Sequence, residues 1–331
     1  MRKAKVGVVG TGHLGLLHAK MYSQIDSASL VGVFDTDHEK SKRVADDFGT
    51  RAFEQLNDLL SEADAVSIVT STKAHYDVAL MALNHDCDIL IEKPITETID
   101  QAKEIVALAD RKKKKVQVGH IERFNAAILA LEEYDLRPLF IESHRLSQFN
   151  PRGTDVAVVL DLMIHDIDLI LSLVKSPVAR IEANGVTVVS DSVDIANARL
   201  QFENGCVANV TASRISQSKM RKMRLFQRDA YISVDFLQGV AEVFRLADEM
   251  QGESKSTMLL GNIEQGARKR LVLYEKPEVN EVNALKHELT LFLQSVLERT
   301  EPPVTGREGL EALVVAQEIL KKIETQTIRA V

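Results

Sequence analysis

The sequence predicts an α/β protein in which a Rossmann doubly wound parallel sheet is followed by an α+β domain with an open, largely antiparallel sheet. In the first 120 residues, five short apolar runs alternate with helical patterns, at residues 6–9, 30–34, 65–69, 89–91 and 116–118. This alternation is typical of a parallel sheet that helices cover on both faces. Two helix ends are also predicted: Gly49 caps residues 38–48, and Thr98 forms a capping box with Gln101.

Beyond residue 120 the pattern changes to one apolar helix at residues 156–174 and seven strand-like runs with little helix between them. The runs are residues 139–143, 181–189, 195–202, 207–212, 223–226, 231–235 and 240–244. Residues 248–270 are polar and contain three glycines, so we predict a long surface excursion there. Helices at residues 282–298 and 307–323 close the chain. We therefore expect two domains, residues 1–120 and residues 121–331.

Composition excludes several classes of function. The 331 residues carry a net charge of -7, which argues against a general nucleic-acid binder, because phosphate contacts need clustered Lys and Arg. No stretch approaches the roughly 18 apolar residues that a membrane span requires. Cys87 and Cys206 are too few and too distant in sequence for a disulfide framework. We expect a cytoplasmic protein that binds neither nucleic acid nor membrane.

The first strand leads directly into a glycine motif that opens a helix. The motif is Gly10-Thr11-Gly12-His13-Leu14-Gly15, and Asp35 ends the second strand 20 residues after Gly15. Its glycines suit a tight turn, close approach of a pyrophosphate and helix packing, while Asp35 suits the adenine ribose. An acid here repels a 2'-phosphate and Thr36 offers no charge to hold one, so we expect NAD rather than NADP. Residues 1–120 are therefore predicted to bind NAD, with Gly10, Gly12, His13, Leu14, Gly15 and Asp35 at the cofactor.

Further polar residues follow the later strands of this predicted sheet. Glu92-Lys93-Pro94 comes directly after residues 89–91, at the carboxyl end of the sheet, where ligands of open parallel sheets bind. The alternative for Lys93 is an ordinary exposed loop lysine. Thr70 and His75, and likewise His120, follow predicted strands at the same end, so both histidines are candidates to line the cofactor cleft. We expect His13 and His18 to pack near the pyrophosphate turn rather than to take part in catalysis.

Asp161, His165 and Asp168 stand at i, i+4 and i+7 within the apolar run 156–174, which places them on one stripe of a helix. A carboxylate one turn from an imidazole can fix its tautomer and raise its basicity, as a general base requires. The alternative is a buried, satisfied pair that links helix to sheet. A third ligand motif for a metal is missing from the sequence, so we expect no metal site.

Taken in order, these motifs resemble the glucose-fructose oxidoreductase, inositol dehydrogenase and MocA (Gfo/Idh/MocA) family. The resemblance spans nearly the whole chain and is carried by the glycine motif with His18, Thr70 with His75, Glu92-Lys93-Pro94, Gly119-His120 with Arg123-Phe124-Asn125, Asp161 and His165 with Asp166 and Asp168, and Glu288-Leu289 through Gly306. It implies an NAD-dependent dehydrogenase that oxidises a secondary sugar hydroxyl, with Lys93, Asp161 and His165 as its catalytic residues. It also implies that residues 121–331 bind substrate and form a homodimer or homotetramer.

Residues 120–125 and 152–156 resemble the branch of this family that oxidises nucleotide-linked amino sugars, such as UDP-N-acetylglucosamine at its 3-hydroxyl. On this resemblance we expect the substrate to contact His120, Arg123, Asn125, Arg152 and Asp168. A diphosphate needs cationic partners, for which Arg123, Arg152, Arg214, Lys219 and Arg221 are candidates. The hydroxyl proton would pass to His165 or to Lys93, since either pKa can be tuned to neutrality. Two alternatives remain: a free polyol or aldose dehydrogenase resembling inositol dehydrogenase, and a non-catalytic regulator that senses the dinucleotide.

Overall fold

The structure is a computed structural model that describes residues 2–149, 156–248, 257–265 and 268–330. The strands in these ranges are β1 (Ala4–Val9), β2 (Ala28–Phe34), β3 (Ala65–Ile68), β4 (Asp88–Glu92), β5 (Val116–Gly119), β6 (Phe140–Leu146), β7 (Val178–Val186), β8 (Ile195–Phe202), β9 (Val207–Ser213), β10 (Met220–Phe226), β11 (Ala230–Asp235), β12 (Val240–Ala247), β13 (Thr257–Gln265) and β14 (Arg268–Glu275). The helices are α1 (His13–Tyr22), α2 (His38–Phe48), α3 (Leu56–Glu62), α4 (Thr72–Asn84), α5 (Ile99–Lys112), α6 (Ala126–Leu129), α7 (Ile164–Val174), α8 (Ala284–Glu298) and α9 (Gly306–Ala330). A 3-10 turn spans Ile121–Phe124, and a π-helical turn at Val159–Met163 leads into α7.

The chain forms two compact units, each built from two segments of sequence. The first unit contains Met1–Ile121 and Asn283–Val314, and the second contains Glu122–Val282 and Val315–Val331. This division differs from the single boundary predicted at residue 120, because residues 283–314 return to the first unit. The physical reason lies in α8, which supplies part of the first unit's core.

The first unit, as far as it is described, has one five-stranded sheet in the order β2-β1-β3-β4-β5. All neighbouring strands in it are parallel. The chain leaves β1 for β2 on one side and then crosses to β3 on the other, so the carboxyl ends of β1 and β3 flank a topological switch point. Open α/β sheets bind their ligands at such points. The predicted doubly wound sheet is confirmed.

Both predicted helix ends in this unit are confirmed. The Thr98 side chain accepts a hydrogen bond from the Gln101 amide, and the Gln101 side chain accepts one from the Thr98 amide, which starts α5 with a capping box. Gly49 has φ 61° at the end of α2, a left-handed conformation that glycine adopts without a steric penalty.

The core of the first unit joins the two segments of sequence. Apolar side chains of α8 lie in one buried cluster with those of β1 and α1, comprising Val6, Val8, Ala19, Tyr22, Leu289, Phe292 and Leu293 among others. Burying a large apolar side chain contributes about 1.5–3 kcal/mol. Helix α8 therefore belongs to this unit because its apolar face completes the layer on one side of the parallel sheet.

In the described residues of the second unit, nine strands form one sheet in the order β13-β14-β12-β11-β10-β6-β9-β8-β7. The pair β6 and β9 is parallel, and the other neighbouring pairs are antiparallel. The seven strand-like runs in the sequence fall in β6 to β12. This sheet confirms the predicted α+β architecture for the second part of the chain.

The two faces of this sheet differ in character. Along β6, Ile141, Ser143 and Arg145 are buried, as the two-residue period of a strand requires, and α7 packs against β6 and β9. On the opposite face, neighbouring aromatic rings stand 5.0–5.8 Å apart in a row across five strands, formed by Phe140, Phe226, Tyr231, Phe244 and Tyr274. The helix-covered face therefore holds this unit's core.

The prediction of a long surface excursion at residues 248–270 is wrong for the described residues 257–265 and 268–270. Residues 257–265 and 268–275 pair as antiparallel strands β13 and β14 at the edge of the sheet. Their register shifts between Leu259 and Gly261, and Gly261 has φ 159°. The bulge and the polar, glycine-rich composition interrupt the alternation that would have indicated a strand.

The apolar helix predicted at residues 156–174 forms from Val159, but its first turn is π-helical. Hydrogen bonds in a π turn connect residues five apart rather than four. Asp161 lies inside that turn, so the i, i+4 spacing of a regular α-helix that was predicted for Asp161 and His165 does not hold at Asp161. Turns of this kind are frequent at functional sites. Within the described parts of the chain, no helix is both long and apolar enough to cross a membrane.

A buried carboxylate, Asp194, organises the loop between β7 and β8. It is 0% exposed and accepts hydrogen bonds from the amides of Val188, Val189 and Ser190 at 2.7, 2.7 and 3.1 Å. Arg214 lies 3.8 Å from it and donates to the Val156 carbonyl, just before the π turn. Burial alone would raise the pKa of Asp194, but the hydrogen bonds from Ser190, Val189 and Val188 outweigh it and hold the pKa well below its usual range.

Asp194→Asn is expected to lower the Tm at pH 7 by about 5 °C or more, because the loop loses a charged acceptor. A depressed pKa adds stability above the unfolded-state pKa of about 3.9, and that stability is lost as the pH falls through the folded-state value. The Tm difference from wild type should therefore shrink below about pH 4. Differential scanning calorimetry across this pH range measures it. Asp191→Asn, an exposed position in the same loop, is the control, and equal Tm values for both variants at pH 7 would contradict the assignment.

Candidate active site

The glycine motif forms the turn between β1 and α1. Gly10 has φ 94°, and a Cβ there would lie 2.6 Å from the Val69 carbonyl oxygen, so the turn packs against the chain that follows β3. A Cβ on Gly15 would lie 1.9 Å from the Gly10 carbonyl oxygen, whereas one on Gly12 would have nothing within 4 Å. Beside Gly12, His13 and Leu14 are exposed, and no side chain caps the start of α1. Open space over Gly12 at a helix N-terminus fits the pyrophosphate of a dinucleotide.

Asp35 is fixed against this turn at the end of β2. One carboxylate oxygen accepts from the Thr11 amide at 2.6 Å and from the Thr11 hydroxyl at 3.0 Å, and the other accepts from the Asp37 amide at 2.9 Å. Burial raises the pKa of Asp35, but these hydrogen bonds and the charge of Lys40 outweigh that effect and lower it. An ionised carboxylate beside the glycine turn fits a ribose hydroxyl pair and repels a phosphate.

Lys93 follows a strand end that is held by a buried histidine. His18 in α1 is 1% exposed, and its Nε2 lies 3.2 Å from Glu92 Oε1. Burial raises the pKa of Glu92, but the His18 hydrogen bond, nearby positive charge and the Lys93 backbone N–H outweigh it, so the net shift is downward. A Cβ on Gly119 would lie 2.7 Å from Glu92 Oε1, so any larger residue at the end of β5 would displace the Glu92 carboxylate.

His75 is buried at 1% exposure in α4. Its Nδ1 lies 3.0 Å from the Pro94 carbonyl oxygen and its Nε2 lies 3.2 Å from the Thr70 carbonyl oxygen. Burial lowers the pKa of His75, and the hydrogen bonds to Pro94 and Thr70 offset this only in part. His120, directly after β5, is also 1% exposed. The structure thus gathers His18, His75 and Glu92 around the Lys93 backbone.

In the second unit, the three residues of the predicted helix stripe, Asp161, His165 and Asp168, lie in two different environments. Asp161, in the π turn, and His165, in α7, are half-buried. Asp168 is 1% exposed, and its carboxylate accepts two hydrogen bonds from Arg123, both at 2.7 Å. Asp161 and His165 are therefore partly accessible to solvent, while Asp168 fixes the Arg123 guanidinium.

The other predicted substrate residues have varied surroundings. Asn125 caps α6, accepting from the Ala127 amide at 3.1 Å, and its own amide donates to Glu122 and to the Phe236 carbonyl, both at 3.3 Å. Arg152 lies outside the described residues. Among those that are described, no group of three His, Cys, Asp or Glu side chains is arranged to hold a metal ion.

A buried ionic cluster centred on Arg145 is not among the predicted site residues. Its guanidinium donates to both Asp166 oxygens at 3.0 and 2.9 Å and to Glu122 Oε1 at 2.8 Å. The three side chains are at most 9% exposed. Burial lowers the pKa of Arg145, but the two carboxylates outweigh it and raise that pKa above its usual value. Arg145 lies on the same face of β6 as the buried Ile141 and Ser143, but the sequence alone does not show which face of that strand is covered.

Comparisons with known proteins cover both units. Residues 4–120 match the Gfo/Idh/MocA oxidoreductase family with an NAD-binding Rossmann fold, and residues 117–233 match the C-terminal domain of that family. The UDP-N-acetylglucosamine 3-dehydrogenase of Acidithiobacillus ferrooxidans is 41% identical over 72% of this chain and 76% of its own length. An inositol 2-dehydrogenase of Rubrobacter xylanophilus is 31% identical over 55% of each chain.

Two solved structures of dehydrogenases have the same fold as this chain. That of the Acidithiobacillus ferrooxidans UDP-N-acetylglucosamine 3-dehydrogenase superposes with a TM-score of 0.87 at 34% identity, covering 98% of this chain and 99% of the other. The scyllo-inositol dehydrogenase of Lactobacillus casei, solved with NAD(H) and scyllo-inositol, has a TM-score of 0.77 at 18% identity and covers 98% of both chains. At that identity the second likeness concerns the fold alone.

Gly12→Ala is expected to fold like wild type and to weaken NAD binding by roughly 10- to 100-fold, because the added methyl occupies the space that the pyrophosphate needs. Calorimetric titration with NAD, together with the Tm, measures both effects. Gly15→Ala is the contrasting control: its methyl would collide with the Gly10 carbonyl, so it should lower the Tm. Unchanged NAD affinity in folded Gly12→Ala would show that the cofactor does not approach this turn.

Proposed function

Because the chain belongs to the Gfo/Idh/MocA family of NAD-binding oxidoreductases, we propose that it is a dehydrogenase that oxidises the 3-hydroxyl of UDP-N-acetylglucosamine to a ketone. The main support for this substrate is the similarity to a UDP-N-acetylglucosamine 3-dehydrogenase. In the structural superposition this similarity extends over 98% of the chain. The inositol 2-dehydrogenase of Rubrobacter xylanophilus covers 55% of the chain at lower identity. Membership in an oxidoreductase family disfavours the non-catalytic regulator.

The proposed roles follow from the chemistry of the site residues. NAD, when bound, supplies the hydride acceptor. His165 takes the proton of the hydroxyl, Asp161 orients the imidazole, and Lys93 donates a hydrogen bond that stabilises negative charge developing on the oxygen. The half-buried carboxylate of Asp161 in the π turn and the half-buried imidazole of His165 in α7 support the first two roles. The position of Lys93 directly after Glu92, at the end of β4, supports the third.

The surroundings of the predicted cationic residues favour one of them as the proposed contact for the substrate diphosphate. Arg214 is 5% exposed and bonded to the loop before the π turn, and Arg123 is held by Asp168. Arg221 on β10 pairs in register with Arg145, so it faces the helix-covered side of the sheet. Its side chain is 45% exposed and lies 3.4 Å from Glu122. We assign the diphosphate to Arg221, with exposed Lys219 on the chain before it.

We further propose that the enzyme is a homodimer or homotetramer of the cytoplasm. The support for an oligomer is the edge strand β13, where Met258, Leu259, Leu260 and Ile263 are 48–60% exposed. An exposed apolar edge strand offers unpaired backbone groups and apolar side chains to a second chain.

UDP-N-acetylglucosamine is expected to be oxidised with a kcat/KM at least about 100-fold above that of free N-acetylglucosamine, because binding of the remote diphosphate helps to position the reacting hydroxyl. The loss of the nucleotide should lower kcat as well as raise KM. Steady-state rates of NADH formation on matched substrates, with myo-inositol included, measure it. If free N-acetylglucosamine or inositol matched the nucleotide sugar, the polyol or aldose dehydrogenase would replace the proposal.

Arg221→Gln is expected to raise the KM for the UDP-sugar by about 10-fold or more, since it removes a charged hydrogen-bond donor to phosphate. Arg224→Gln is a matched control on the same strand and the opposite face. The Arg224 side chain is 44% exposed and lies 3.4 Å from Glu142. Equal KM values for the two variants would remove Arg221 from the substrate site.

A further inference from the structure

Three hydrogen-bond donors hold Asp35, the carboxylate expected at the adenine ribose. Its Oδ2 accepts from the amide and the hydroxyl of Thr11, at 2.6 and 3.0 Å, and its Oδ1 accepts from the Asp37 amide at 2.9 Å. A carboxylate has about four acceptor positions, so these donors leave one position, on Oδ1, for a ligand. The carboxylate is therefore held with one particular oxygen available.

The three donors differ in what the sequence must supply. Two are backbone amides, which any residue other than proline provides at positions 11 and 37. The third is the Thr11 hydroxyl, on a side chain that is 5% exposed. Of these three donors, the hydroxyl alone depends on the identity of a side chain, and serine is the one other residue with an aliphatic hydroxyl.

A competing partner for Asp35 lies in the first turn of α2. Burial raises the pKa of Asp35, but its hydrogen bonds and the charge of Lys40 outweigh burial. The ammonium of Lys40 is exposed and lies 3.0 Å from the Asp37 carboxylate. Without the Thr11 hydroxyl, one donor fewer would hold Asp35 at the glycine turn against this attraction. Movement of the carboxylate toward Lys40 would take negative charge away from the ribose position.

We propose that Thr11 is a positioning residue that sets the preference for NAD over NADP by holding the Asp35 carboxylate at the adenine ribose. A fixed carboxylate accepts a ribose hydroxyl and repels a 2'-phosphate. A hydroxyl that only stabilised the turn would affect both cofactors alike, because NAD and NADP differ in that phosphate alone. This role rests on the expected binding of NAD at the glycine turn and is independent of the sugar substrate.

The test measures the binding of NAD and of NADP to the full chain by calorimetry. Thr11→Val replaces the hydroxyl with a methyl group, and Thr11→Ala removes it and leaves space. Both variants should raise the Kd for NAD about 3- to 10-fold, as expected for one hydrogen bond. The Kd for NADP should stay unchanged or fall. The ratio of the NADP Kd to the NAD Kd should therefore decrease at least about threefold.

Two further variants separate positioning from stability. Thr11→Ser keeps the hydroxyl and should retain the wild-type ratio within about twofold. Thr50→Val is the matched control, because the Thr50 hydroxyl donates to the Leu30 carbonyl at 2.8 Å, five residues before Asp35 on β2. Its loss should leave the ratio unchanged whatever it does to the Tm.

An unchanged ratio in folded Thr11→Val and Thr11→Ala, or an equal decrease in Thr11→Ser, would overturn the proposal. Failure of both hydroxyl-free variants to fold, seen in the Tm, would also overturn it, since the hydroxyl would then serve the fold. So would a wild type that binds NADP as tightly as NAD. Oxidation of UDP-N-acetylglucosamine enters none of these measurements, so failure of the proposed function would leave them intact.

Discussion

A single carboxylate, that of Glu92, connects three elements of the first unit. It ends β4, contacts His18 of α1 and lies against Gly119 at the end of β5. Removing a charge from water is unfavourable unless hydrogen bonds and opposite charge compensate it. The histidine in α1 and the glycine of β5 are therefore part of the same arrangement as the lysine. Three motifs that are separate in the sequence, those with His18, Glu92 and Gly119, thus meet around one carboxylate whose charge must be compensated.

In the second unit, the comparable constraint is the Arg145 guanidinium under α7. Its two carboxylate partners belong to different elements, since Asp166 follows His165 in the helix and Glu122 lies in the 3-10 turn. Such buried ion pairs add little net stability, but loss of one partner leaves an uncompensated charge, which is strongly destabilising. The pairing thereby restricts how α7 can rotate on the sheet. The exposure of the neighbouring His165 depends on that restriction.

Much of this arrangement can be predicted from the sequence, because short-range physics determines it. The glycine turn, the capping box at Thr98 and the alternation in β6 to β12 each depend on neighbouring residues. The π turn at Asp161 could not be predicted, since an apolar helix pattern does not distinguish a four-residue from a five-residue hydrogen bond. Strand β13 was missed because pairing with β14, rather than local composition, determines it. Arg145 required knowledge of which strand face is covered.

The return of residues 283–314 to the first unit bears on how the protein folds during synthesis. The strands of the parallel sheet leave the ribosome within the first 120 residues, but Phe292 and Leu293, which complete their core, emerge much later. At typical rates of translation this delay is about 10 to 35 s. During that interval the apolar surface of β1 and α1 lacks its cover, and exposed surface of this kind attracts chaperones and promotes aggregation. The nascent chain thus spends longer in a vulnerable state than a Rossmann sheet encoded by one uninterrupted segment would.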